Sequence, residues 1–137
     1  MRTLIALAAA GLVAACGTTP TSSGQAVPTS TVLSAVLVKA DPANGILVVR
    51  RDTGVTSSAC AFRIMVDGTA AAELGTGEMV TLYVPPGDHI LSTEYRGALC
   101  SASGRATVRA TAAAGKRQSF RVGVGSDLSA FLEPAPN

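Results

Sequence analysis

The segment CAFRIMVDG, residues 60–68, carries the clearest fold signal in the chain. Phe62, Ile64 and Val66 fall on one face of an extended strand, and Arg63 falls on the other. Asp67-Gly68 then supplies two residues able to hold positive φ, which a two-residue type I′ hairpin requires. The next run, TAAAEL (69–74), is therefore the return strand, although alanine is a weak strand former.

The same grammar repeats on both sides. Turn residues stand at Asn44-Gly45, Asp52-Thr53-Gly54, Gly75-Thr76-Gly77, Pro85-Pro86-Gly87, Gly97, Gly104 and Gly115. Between them lie ILVVRR (46–51), EMVTLYV (78–84), HILSTEY (89–95), RATVRAT (105–111) and QSFRVGV (118–124). Val80, Leu82 and Val84 alternate with Thr81 and Tyr83. Ala106, Val108 and Ala110 alternate with Arg105, Thr107 and Arg109, and Phe120, Val122 and Val124 with Arg121. Short strands at this spacing predict an all-β fold, a small antiparallel β-sandwich of about seven strands. Its domain is expected over residues 31–137. Residues 31–40, TVLSAVLVKA, fit a helix or a strand equally and stay open between the two.

The first fifteen residues read as an export signal. Arg2 is basic, residues 4–15 are apolar, and the run is too short to span a hydrocarbon core of about 30 Å. Val13-Ala14-Ala15-Cys16 is similar to a bacterial lipobox. That likeness implies removal of residues 1–15 and acylation of the Cys16 thiol, so that the lipid bilayer is the first partner. Residues 16–30 are then the lipidated cysteine and a flexible Ser/Thr/Gly/Pro linker. Gly17 follows the cysteine where aspartate would resemble an inner-membrane retention signal. Its presence implies the periplasmic face of the outer membrane, with surface display as the variant.

The chain has three cysteines. With Cys16 acylated, Cys60 and Cys100 remain, in a compartment where disulfides persist. Pairing them closes a loop of about 40 residues, worth roughly 4 kcal/mol on the chain-entropy model. No C-x-x-C redox spacing is present, and the single histidine, His89, leaves a metal site short of ligands. No metal and no cofactor are expected.

Function is excluded more readily than assigned. A net charge of +2 argues against a nucleic-acid partner. There is no nucleophile elbow and no phosphate loop. Tryptophan is absent, and only two tyrosines, Tyr83 and Tyr95, are available for stacking on sugars. Asp88 precedes His89 but points to the opposite strand face, so His89 is expected to pack over the Pro-Pro turn as a structural residue. No catalytic residues are expected. Arg105, Arg109, Arg117 and Arg121 form a candidate anion-binding face, provided that a hairpin through Ala113-Ala114-Gly115 sets their strands side by side.

Val66-Asp67-Gly68, Gly77-Glu78 and Val84-Pro85-Pro86-Gly87-Asp88-His89 together resemble the turns of PEGA-type surface-layer β domains, and of small proteobacterial lipoproteins of unknown function. The resemblance spans residues 46–124. It implies a small envelope-exposed β-sandwich without catalytic residues. The expected function is a membrane-anchored, non-enzymatic structural or protein-interaction module that supports or docks with an envelope protein. Two alternatives are a displayed hydrolase inhibitor, using the Cys100-pinned loop 97–104, and a binder of anionic envelope polymers.

Overall fold

The computed structural model describes residues 17–54, 58–97, 100 and 104–136. Strands β3 (Gly45–Arg51), β4 (Ala61–Val66), β5 (Thr69–Leu74), β6 (Glu78–Val84), β7 (Gly87–Arg96), β8 (Arg105–Ala112) and β9 (Arg117–Val124) follow the seven runs read from the sequence. Three more strands complete the fold: β1 (Val27–Pro28), β2 (Thr31–Val32) and β10 (Ala130–Ala135). The described strands thus number ten, not seven. Two-residue strands carry no alternation to read. β10 contains Pro134, which a strand tolerates at a sheet edge.

The ten strands form two five-stranded sheets, β1-β6-β3-β9-β10 and β2-β5-β4-β7-β8. Leu47, Val49, Val80, Leu82, Val84, Phe120, Val122 and Val124 of the first sheet share one apolar core with Phe62, Ile64, Val66, Leu74 and Leu91 of the second. The expected inward faces are therefore the buried ones. Asp67 (φ 49°) and Gly68 (φ 81°) both hold positive φ between β4 and β5, as a type I′ turn demands. Register slips between Ile64 and Met65, so Ala71 and Ala72 of β5 are both buried. That bulge uses the small alanine side chains that made this run a weak strand on propensity.

Two expectations are corrected. The ladders are not all antiparallel, because β3 pairs with β9, and β1 with β6, in parallel. The segment 113–116 is also not a hairpin within one sheet, since β8 and β9 lie in different sheets. The chain crosses over at this corner. Gly115 N–H donates to the Asn44 carbonyl (2.9 Å). A Cβ on Gly45 would lie 2.8 Å from Ala112 Cβ, so glycine permits this close approach.

The segment expected as a free linker is instead a strap. Thr18 Oγ1 donates to Asp52 (3.0 Å), Thr19 and Thr53 exchange backbone bonds, and Thr21 Oγ1 donates to the Arg51 carbonyl (3.0 Å). Val27 N–H then donates to Gly77 O (3.1 Å), and Thr29 N–H to Met79 O (2.8 Å). Its Ser/Thr content reads as solvated coil, yet the threonine hydroxyls bond to Asp52 and to the Arg51 and Glu73 carbonyls, and the backbone of β1 covers the open edge of β6. Residues 31–40 resolve into both readings: β2 is extended, and α1 (Ala35–Val38) is one helical turn capped by Ser34.

Candidate functional site

Three places have chemistry worth weighing. The first is the His89 corner. His89 Nδ1 lies 2.7 Å from Asp67 Oδ2, and Nε2 lies 2.7 Å from the Pro85 carbonyl. A carbonyl oxygen and an ionised carboxylate only accept, so the protonated ring is the form that can donate to both. The bond to Asp67 raises the His89 pKa above its ordinary value, against a smaller opposing effect of burial. The same bond, with help from Ile90 N–H, lowers Asp67. The histidine therefore pins the β4–β5 turn to the β6–β7 turn. Packing on the Pro-Pro turn follows the sequence reading. The partner Asp67, 22 residues upstream, does not show in the sequence, because the hairpin must form before it arrives.

Beside this corner runs a groove of about 390 Å³ lined by Val36, Leu37, Val66, Val84, Pro85 and His89. Val36 stands 81 % exposed on α1, with Val32 and Leu33 each 44 % exposed nearby in sequence.

The second place is the arginine set. Arg105 and Arg109 lie on β8 and Arg117 and Arg121 on β9, in different sheets, so the four do not make the single face expected. Arg105 is paired with Glu94 (3.0 Å) and Arg109 with Asp88 (3.6 Å). Arg121 is paired with Asp52 and with Glu133 (3.0 Å), and its pKa is raised, chiefly by the Asp52 bond. Arg117 has no ion pair among the described residues. It lines a small groove with Arg109, near Pro134 and Ala135 of β10. Arg105 belongs to a ladder instead. Glu73, Arg63, Glu94 and Arg105 stand in register across four strands of the second sheet, alternating in sign. Opposite charges across neighbouring strands are favourable, and such a row discourages edge-to-edge pairing.

The third place surrounds Arg50-Arg51-Asp52, which the sequence presents merely as the polar end of a strand. Arg51 is 1 % exposed and reaches into the core, where its guanidinium lies 4.8 Å from the centre of the Phe62 ring. Nη1 donates to the Cys60 and Leu74 carbonyls. Burial lowers its pKa. Asp52, also 1 % exposed, receives Thr18 and Arg121.

Cys60 and Cys100 form the expected disulfide, with Cα atoms 5.9 Å apart, joining the start of β4 to the segment after β7. Gly97 makes room for it: φ is 141°, and a Cβ there would lie 2.6 Å from Cys100 Sγ. Cys16 and most of loop 97–104 lie outside the described residues. Tyr83 and Tyr95 stand on strands of different sheets, and Tyr95 packs on Phe62 at 4.4 Å between ring centres. Among the described residues no helix is long and apolar enough to cross a membrane, and no cluster of three His, Cys, Asp or Glu side chains could hold a metal. Comparison with protein-family models, with curated proteins and with solved structures finds no match.

Proposed function

We propose that this chain is a lipid-anchored envelope module, a β-sandwich of PEGA type that docks with another protein and performs no catalysis. Acylated Cys16 holds it at the periplasmic face of the outer membrane. The observation that carries the reading is the position of Gly17, the residue after that cysteine. It packs against Val124 and Ser126, beside the turn between β9 and β10. The anchor therefore leaves the domain at a defined pole. The groove beside α1 and His89 lies at the other end of β3, about 20 Å away at ~3.3 Å per residue. A strap bonded to the domain, rather than a loose tether, keeps that pole at the bilayer and presents the groove away from it.

The test has two readouts from intact cells. Mass analysis of the extracted protein is expected to show a chain starting at acylated Cys16. A photocrosslinker at Val36 is expected to capture one defined protein, and the same group at Leu128, exposed in the turn between β9 and β10 at the opposite pole, to capture none. An unprocessed first residue defeats the anchor, and equal labelling from both positions defeats the docking pole.

A further inference from the structure

Arg50 and Arg121 are direct partners in the parallel β3–β9 ladder, and both line one groove of about 300 Å³. Like charges opposed across neighbouring strands repel. Asp52 and Glu133 both serve Arg121. Arg50 has no carboxylate among the described residues. It is 6 % exposed, one Nη donates to the Pro136 carbonyl (2.6 Å), and its Nε–H has no acceptor. A buried guanidinium balanced only by a carbonyl is an expensive arrangement unless an anion completes it.

We propose that this groove binds the terminal carboxylate of a short peptide. Arg50 is the guanidinium left without a carboxylate in contact among the described residues, and its planar fork suits a carboxylate. Pro20, Ala135 and Pro136 give apolar walls, and Ser22 and Ser23 place hydroxyl groups at the rim. The volume sits at the lower end of the range for small-ligand clefts, roughly 300–1,000 Å³, so the occupant is short with small side chains. The site needs neither the lipid anchor nor the docking pole.

Titration of the full chain in detergent with N-acetyl-alanyl-alanine, followed by NMR at the arginine Nε–H groups, is expected to move Arg50 and Arg121. Capping the peptide as its carboxamide is expected to weaken binding by about tenfold or more, since a charge-assisted pair is lost. Arg50→Gln is expected to lose as much, and Arg50→Lys to lose part, keeping charge without the fork. Should Arg50→Gln fail to fold, the acid and amide peptides compared on the unaltered protein still decide. No response to the acid, equal binding of the amide, or tighter binding of inorganic phosphate than of the peptide overturns the proposal.

Discussion

His89 shows how much one side chain can connect. Its ring ties together two turns that are remote in sequence, and its charge is part of the tie. The folded pKa is raised, so its stabilisation is complete below the ordinary histidine value of about 6.5 and fades as pH rises through the higher folded value. Asp67 is lowered, so its share is present above about 3.9 and fades as pH falls through the lower folded value. The difference in urea stability between the native protein and His89→Gln should therefore be greatest between about pH 4 and 6.5 and shrink toward alkaline pH. Asp67 is half exposed, and screening limits the difference to about 1 kcal/mol. A pH-independent difference would show that the ring acts by packing alone. Gly97 is the second decisive residue. Gly97→Ala should force Cys100 Sγ aside and cost about 1–3 kcal/mol, read as a lower melting temperature with free thiol appearing. Of these residues, the turn at Asp67-Gly68 is legible from type alone, whereas the partner of His89 is not.

Among the elements, the strap and the bridge make separate claims. If residues 17–30 are bonded as described, the amides of Val27 and Thr29 should exchange slowly, measured by hydrogen exchange on the full chain. Rapid exchange there would restore the free linker. Thr21→Val removes the bond to the Arg51 carbonyl and should cost about 1 kcal/mol in chemical denaturation. Cys60→Ser with Cys100→Ser should lower stability by about 2–4 kcal/mol, which thermal unfolding with and without reductant will check. The seven long strands were readable because alternation and turn chemistry agree within each. The crossover from β8 to β9 was not. Ala113-Ala114-Gly115 suits a hairpin as well as a corner, and the choice depends on β3 and β10 being present to pair with β9.

Across the whole molecule, Gly17, the pole of the proposed anchor, and the groove beside His89 lie at opposite ends of the strands. A spin label at position 128, in the exposed β9–β10 turn, should be shielded from aqueous quenchers when the acylated protein is in vesicles. A label at position 115 should stay accessible. Equal accessibility would mean that the domain tumbles freely on its anchor. The charges tell a similar story of scale. Outward arginines are visible in the alternation of β8 and β9, but which arginines share a surface depends on the sheet each strand joins. Arg105 and Arg109 end in cross-strand pairs, while Arg50, set beside Arg121, has no carboxylate in contact among the described residues. The sequence by itself determined the all-β class, the inward faces and the cysteine pairing, because these follow from local periodicity, turn conformation and thiol count. Only the tertiary structure decided the ten-strand, two-sheet order, the strap, the Asp67–His89 tie and the splitting of the arginines. Each of these joins residues far apart in the chain, and local patterns carry no record of which strand a ladder will choose.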